Sequence, residues 1–442
     1  MNILIVGSGA REHIIAEKIH ESKREPVLFC CSGTINPGIE ELCKKAVVLD
    51  TGNIDSIVEF AEQNDIEYCV IGPEAPICMG LADELEKIGI TVIAPKKKAA
   101  IEGSKITTRD LFKKYSISGN IKYTSVNAMD ELNDAKKFLE ELKKENLGFV
   151  VKPDGLTGGK GVKVQGEHLR TIDDALDYCQ EILQIKDALI IEEKLYGEEF
   201  SFQAFSDGKT LKFMPLVQDH KRAFDGDTGP NTGGMGSYSF VNHSLPFLTE
   251  EQIQESRQIM TETIDAIKEE YGILFKGILY GGFMVTKNGI KLLEYNTRFG
   301  DPEAMNVLSI LKTDICDIFE AIKEEKLDEL NVEFEQKATV CKYIVPKNYP
   351  DKSPSEEIRI MPFENAKLYY ANVEKRDGKL MTLSSRALAF VSSDENIYTA
   401  ERKTQEAMKS VVGNVRYRRD IATKELIEKR ISHMDAIKNG KQ

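Results

Sequence analysis

The sequence predicts a multidomain α/β and α+β protein: an N-terminal parallel-sheet unit, a larger central unit with antiparallel sheet, and a small C-terminal α/β unit. Three observations predict it. Over the first hundred residues, short apolar runs alternate with helix-length amphipathic stretches, the pattern of a parallel sheet. In the middle, paired strand-like runs flank Asp-Gly and Asn-Gly dipeptides, a strong hairpin signal. After the charge-rich segment Glu324–Glu335, strand-like and helix-like runs resume. A length of 442 residues allows two to four domains at roughly 100–200 residues each.

Taken in order, NILIV (Asn2–Val6) is a short apolar strand, followed by a glycine turn and a helix over Ala10–Ser22. PVLFCC reads as a second strand. In NIDSIVEFAEQN, Ile54, Ile57, Val58 and Ala61 recur at helical spacing. EYCVI and ITVIA are further strands. From Phe149 the pattern changes: FVVK enters a glycine-rich turn and VKVQ leaves it. TIDDALDYCQEIL is an amphipathic helix with Ile172, Ala175, Leu176, Cys179 and Leu183 on one face, and ALIIEEK is a strand. Two hairpins follow, FSFQAF-SDGKT-LKFMPL and ILYGGFMVT-KNG-IKLLEYN. Beyond the charged boundary, ATVCKYIV and ALAFVSS are strand-like and NIYTAERKTQEAMKSVV is helix-like. The closing AIKNGKQ reads as a frayed tail.

Composition narrows the function. A formal net charge of -13 disfavours nucleic-acid binding through a broad basic surface. No apolar run approaches the roughly 20 residues of a membrane helix, and the start MNILIVGSGAREH lacks the features of a signal peptide. The expectation is a cytoplasmic protein without nucleic-acid or membrane partners. The 8 cysteines form no C-x-x-C pair, and the 6 histidines have no zinc spacing. Any metal is expected on oxygen ligands.

Several segments carry chemistry. In VVKPDGLTGGKGVKV, Lys152 closes a strand, four glycines (Gly155, Gly158, Gly159, Gly161) and Lys160 follow, and a strand resumes. Glycine lets backbone amides approach phosphate closely. The spacing is not that of a Walker A loop; the plain alternative is a glycine-rich hairpin. In LLEYNTRFGDPE, strand alternation puts Glu294 and Asn296 on one face. Two such oxygen ligands suit magnesium alongside phosphate oxygens. Arg298 continues the alternation and can grip an anion bidentately; a solvated edge-strand face is the alternative. The long polar stretch QDHKRAFDGDTGPNTGGMGSYS (Gln218–Ser239) reads as a loop able to close as a lid, or as a disordered loop.

The turn GSGAREH fails as a dinucleotide fingerprint. Glu12 stands where the third glycine would be, and Cys31 and Ser32, rather than an acid, end the second strand. The turn can still hold phosphate at a helix N-terminus. In GPEAP, Glu74 lies at the carboxyl edge of the parallel sheet, where such folds bind ligands. In IEEKLYGEEFSF, acids Glu192, Glu193, Glu198 and Glu199 surround a strand-to-strand connection that suits either a charged surface turn or an adenine hinge.

Together these segments resemble the ATP-grasp ligases, and within them the phosphoribosylamine–glycine ligase family. The resemblance covers nearly the whole chain in family order. QDHKRAFDGDTGPNTGGMGSYS is its most specific part; EYNTRFGDPE, GPEAP, EGSK (Glu102–Lys105), GLTGGKG and YRRDIA (Tyr417–Ala422) agree. The first turn departs with Ala10 in place of glycine, and the phosphate loop with Thr157 and Gly158. The resemblance implies an ATP-grasp fold over 103–325, with 120–195 a mobile lid-like subdomain. It also implies an N-terminal substrate-binding domain over 1–102, a C-terminal α/β domain over 330–426 and a tail over 427–442.

The resemblance further implies an ADP-forming ligase joining glycine to 5-phosphoribosylamine through an acyl phosphate, with ATP and Mg²⁺ or Mn²⁺, as a monomer or weak homo-oligomer. It places Lys105, Lys152 and the loop Gly158, Gly159, Lys160, Gly161 on the nucleotide phosphates. Glu192, Glu193 and Leu195 fall at the adenine hinge, and Glu199 at the ribose. Glu294 and Asn296 are the metal ligands. Arg298, Lys152 and Asp219 are the catalytic candidates. Gly7, Gly9, Glu74, Asp219, Asn231, Gly233 and Arg298 face the substrates. A different ATP-grasp enzyme, a nicotinamide oxidoreductase and a non-catalytic nucleotide-binding regulator are the rival readings.

Overall fold

The computed structural model describes residues 1–158 and 161–440. The N-terminal unit is a five-stranded parallel sheet in the order Lys45–Val48, Val27–Ser32, Asn2–Val6, Tyr68–Ile71, Thr91–Val92. Its central strands are continuous apolar runs because helices cover both faces. Alternation sorts them: Ile3, Ile5 and Cys30 enter one core, while Leu4, Val6, Phe29 and Cys31 enter the other. The adjacent cysteines therefore point to opposite faces, and both are free thiols.

The central unit is a four-stranded antiparallel sheet in the order Leu211–Phe213, Gly197–Asp207, Lys276–Thr286, Gly289–Asn296. Both dipeptide signals turn its hairpins. At the first, the Asp207 carboxylate accepts the amides of Lys209 (2.9 Å) and Thr210 (2.7 Å). The helix Glu250–Tyr271 packs on the last two strands.

A second four-stranded sheet, ordered Tyr123–Val126, Leu189–Lys194, Gly148–Pro153, Lys163–Val164, carries the helices Leu132–Lys144 and Ile172–Leu183. Val126, Leu139, Phe149, Val151, Ala175, Cys179 and Ile191 give it a core of its own. A small body with a private core can rotate as a unit on its two connections.

The third sheet runs Gln218–Asp219, Gly236–Ser239, Ala338–Pro346, Leu388–Asp394, Lys367–Tyr370. It takes strands from both sides of the 325–330 boundary expected from sequence. The stretch 218–239 is thus not one loop. Its ends are sheet strands, and between them Arg222–Phe224 and Thr228–Asn231 form a two-stranded ribbon. Backbone pairing organises what polar, glycine-rich composition disguised.

The tail expected over 427–442 is also corrected. Lys424–Lys438 is a helix, N-capped by the Thr423 hydroxyl. Leu426, Ile427, Met434 and Ile437 are buried, and the helix packs against the strands Gly197–Asp207 and Lys276–Thr286. Among the described residues, no helix is long and apolar enough to cross a membrane.

Candidate active site

All four units meet at a cleft of about 700 Å³. One end is a slot between the two antiparallel sheets. Val150 and Val164 line it from the small sheet, Met284 and Leu293 from the large one, and Leu195 from the connection between them. Flat apolar walls with a few polar groups suit a heterocyclic base.

Glu192 sits beneath this slot, 2 % exposed. Its carboxylate meets Arg109 Nε at 2.7 Å and Lys152 Nζ at 2.6 Å. Burial works against the ionised form, but the two cations outweigh it and hold the Glu192 carboxyl down to about 2. Glu192 thereby orients two cations, and its side chain is occupied. Glu193 likewise accepts the Lys122 amide at 2.9 Å.

The phosphate loop leaves the small sheet at Pro153. Lys105, at the start of the helix Lys105–Lys114, donates Nζ to the carbonyls of Pro153 (3.1 Å) and Gly155 (2.9 Å). Asp154 reaches back to that helix and accepts the amides of Lys105 (2.7 Å) and Ile106 (3.2 Å). The loop base is therefore bolted to the central unit. Gly155, Gly158 and Gly161 have φ of +80°, +58° and +79°, a region side chains disfavour. The expected phosphate contacts Gly159 and Lys160 lie outside the described residues.

Glu294 and Asn296 do share a face of their strand, and both line the cleft. Tyr295 between them faces inward and bonds Thr263. Burial pushes the Glu294 carboxyl up, but Lys221, Lys152, Lys105 and Arg298 outweigh it and hold it below the usual value. The Glu294 side chain nonetheless keeps 45 % of its surface open, so its ionisation is set by the cations across the cleft. Among the described residues it accepts no hydrogen bond. The Asn296 amide oxygen accepts only a 3.3 Å bond from Arg298. One carboxylate and one amide oxygen with free lone pairs beside a phosphate loop fit a magnesium-sized cation completed by phosphate and water; no cluster of three or more His, Cys, Asp or Glu able to hold an ion occurs among the described residues.

Arg298 Nη2 lies 3.1 Å from Glu102, and Nε 3.5 Å from Glu74. Burial disfavours its charge, but Glu102 and Glu74 outweigh that and hold it above its usual value. Its buried Nε has no hydrogen-bond partner among the described residues, leaving a donor for an anion. Lys221 lies 3.3 Å from Glu199 and 4.0 Å from Glu294, linking the ribose and metal candidates.

At the other end, Asp219, Asn231 and Gly233 line the cleft together with Glu303, Asp301 and Arg386. Burial and the nearby Glu303 push the Asp219 carboxyl well up, while Lys221 and Arg386 pull it down. Gly234 stands at φ +110°, where a Cβ would meet Asp219 Oδ1 at 2.7 Å and Pro302 at 2.6 Å. Arg386 donates to the carbonyls of Gly233 (2.9 Å) and Gly234 (3.0 Å) and contacts Asp301 at 3.2 Å.

Glu74 and Arg11 line the cleft, but Gly7 and Gly9 do not. Glu12 fills their turn. Its carboxylate accepts the Gly9 amide at 2.5 Å and Arg11 Nε at 2.6 Å, and a Cβ on Gly72 would strike it at 2.0 Å. A carboxylate caps the helix where a dinucleotide phosphate would lie. Gly7 and Gly9, expected to face a substrate, thus surround the chain's own Glu12 carboxylate and are not among the residues that line the cleft.

The structure thus gathers Glu74, Lys105, Lys152, Gly158, Glu192, Glu193, Leu195, Glu199, Asp219, Asn231, Gly233, Glu294, Asn296 and Arg298 around one cleft. Sequence reasoning gave no role to Arg11, Arg109, Asp301, Arg386 or Arg430. Asp301 stands inside a motif already singled out. Arg386 and Arg430 stand alone in unremarkable segments.

Comparisons with known proteins agree with this architecture. Models of the phosphoribosylglycinamide synthetase N domain, ATP-grasp (A) domain and C domain match residues 1–102, 103–304 and 339–424. A protein of Methanocella arvoryzae named phosphoribosylamine–glycine ligase is 46% identical over 441 residues, covering 99% of this chain and 100% of that one. One of the same name from Methanocaldococcus jannaschii is 47% identical over 447 residues, covering 99% and 100%. The crystal structure of phosphoribosylamine–glycine ligase from Thermotoga maritima superposes with TM-score 0.78 at 28% identity, covering 95% of this chain and 100% of that one. The biotin carboxylase domain of Hydrogenobacter thermophilus 2-oxoglutarate carboxylase shares the fold, with TM-score 0.70, 14% identity and coverage of 99% and 95%.

Proposed function

The chain belongs to the phosphoribosylglycinamide synthetase family, and from that premise we propose that it joins glycine to 5-phosphoribosylamine in an ATP-driven reaction. A glycine carboxylate oxygen attacks the γ-phosphorus, the bond to the bridging oxygen breaks, and ADP leaves. The amine nitrogen then attacks the acyl carbon, phosphate departs with the bonding pair, and the nitrogen sheds a proton. The products are glycinamide ribonucleotide, ADP and phosphate.

One observation carries this reading: Lys105, Lys152, Glu294, Asn296 and Arg298 converge on a single cleft beneath a glycine-rich loop. Fixed cations there offset the charge gathered on phosphoryl transfer without reorganising at that moment. A divalent cation held by Glu294 and Asn296, Mg²⁺ or Mn²⁺, would polarise the transferring group. Arg298, whose Nε makes no hydrogen bond among the described residues and lies 3.5 Å from Glu74, suits the glycine carboxylate or the acyl phosphate made from it. Asp219, which lines the same cleft, would receive the amine. The lid-like sheet keeps water from the acyl phosphate. We take the reaction to run in the cytosol on small molecules, with no nucleic-acid or membrane partner.

The test is a coupled assay with freshly generated phosphoribosylamine, glycine and ATP, with mass detection of the amide. One ADP should form per amide. ADP release without amide, or turnover that bicarbonate supports in place of glycine, would overturn the assignment.

A further inference from the structure

All but the first residue of the helix Lys424–Lys438 lies beyond the last residue matched by the family's C domain, yet the helix reaches the cleft. Arg430 lines the cleft from this helix, beside Glu198 and Glu199. Its Nη1 lies 3.3 Å from Glu198, and its Nη2 2.6 Å from Asp227. These anchors sit on different elements. Glu198 is the second residue of the strand that leaves the adenine connection, and Asp227 sits at the tip of the glycine-rich ribbon.

Each anchor is itself braced. Glu198, 2 % exposed, also meets His433 at 2.5 Å from one helical turn further on. It accepts the Gln218 side-chain amide at 3.3 Å as well, and that same nitrogen reaches the Glu199 carbonyl at 3.0 Å. Asp227 also takes Arg418 Nη2 at 3.1 Å. On strand alternation Glu198 and Glu199 face opposite ways. The pair Arg430–Glu198 thus fixes the back of the residue pair whose front carries the ribose candidate. Lys221, which spans Glu199 and Glu294, immediately precedes the ribbon held at Asp227.

We propose that Arg430 is a positioning residue for nucleotide binding. It couples the C-terminal helix to the strand start at Gly197–Glu199 and to the ribbon that follows Lys221. The inference rests on the ligase reading for the identity of the nucleotide, but its geometry needs only that the cleft binds ATP or ADP.

The full-length chain is assayed as wild type, Arg430→Ala, Glu198→Gln and the double variant. Equilibrium titration with MgADP and steady-state kinetics are both read. Arg430→Ala should weaken MgADP binding about tenfold and raise the KM for ATP comparably, with kcat and the KM for glycine within about twofold. In the double variant the loss should fall short of the product of the single defects, because both substitutions remove the same Arg430–Glu198 contact. Glu428→Ala, exposed on the same helix, should leave everything within about twofold. Equal loss in kcat and every KM, a double variant with the product of the single defects, or no change in MgADP affinity would each overturn the proposal. Because MgADP titration needs no turnover, failure of the ligase assay alone would sink the ligase reading and leave this one to be judged. A variant that fails to fold is replaced by Arg430→Lys. That substitution keeps the charge but reaches only one anchor, and a partial loss confined to nucleotide is expected. Uniform loss again counts against the proposal.

Discussion

At the residue scale, the site is a set of charges that need one another. Lys152 both faces the nucleotide end of the cleft and neutralises the buried Glu192. A charge-assisted contact is worth about 1.5–3 kcal/mol, so Lys152→Ala should cut kcat/KM for ATP at least about tenfold. The folded state should also lose stability, since Glu192 keeps only Arg109. Undiminished turnover by a homogeneous, folded variant would remove Lys152 from the phosphate contacts. Glu294 answers to a different measurement. It accepts no hydrogen bond among the described residues, so Glu294→Ala leaves no donor stranded and should melt near wild type. Its divalent-ion titration should shift upward at least about tenfold, or turnover should vanish. An unchanged titration would strike it from the ligands.

At the scale of elements, the ribbon Arg222–Asn231 works as a strap between units. Arg222 meets Glu167 of the small sheet unit at 2.5 Å, while Asp225 and Asp227 tie the ribbon to the Arg418–Asp420 turn and to Arg430. The Arg222–Glu167 pair is partly exposed and worth up to about 1 kcal/mol. Glu167→Gln should therefore raise the KM for ATP by at most about fivefold, and less at high salt. ATP titrations at two ionic strengths measure this, and an effect insensitive to salt would mean the pair does not hold the lid. Sequence showed the flanks of this strap but not the strap. Hairpins turned by Asp207-Gly208 and Asn288-Gly289 announce themselves because the turn residues carry the signal locally. The ribbon and the C-terminal helix do not. Glycines and acids hide the first, and the second buries few apolar residues (Leu426, Ile427, Met434 and Ile437) among charges. Its stability comes from docking, which composition does not report. In the site, Glu294 and Asn296 were legible because strand alternation is a local rule. Arg386 and Arg430 were not, because their partners lie 85 or more residues away.

At the scale of the whole molecule, charge and docking divide the labour. A chain of net charge -13 brings Lys105, Arg109, Lys152, Lys221, Arg298, Arg386 and Arg430 to one cleft. Acids such as Glu74, Glu192, Glu199 and Glu294 line the same cleft, so the cations stand as local partners for an anion within an acidic surround. The N-terminal and C-terminal units meet where the Tyr370 amide donates to His13 Nδ1 at 2.9 Å, with the His13 ring stacked on that of Tyr370. Burial, opposed by Glu41, lowers the His13 imidazole to about 4. An unfolded histidine takes its proton near pH 6.5. The stabilisation is therefore whole above pH 6.5 and is lost as pH falls from 6.5 toward 4, to a limit of about 3 kcal/mol. Denaturant midpoints at pH 7.5 and pH 5 should separate more for wild type than for His13→Asn, which cannot titrate. Equal separations would relieve His13 of that role.

The sheet that unites Gly236–Ser239 with Ala338–Pro346 has a practical corollary. Severing the gene at residue 330 would not liberate two independent modules. Each half would carry a raw hydrogen-bonding margin shaped for the other, and such margins invite clumping. Co-expressed, the halves are natural complements, and the same margin becomes the seam along which a split version of this protein would reassemble.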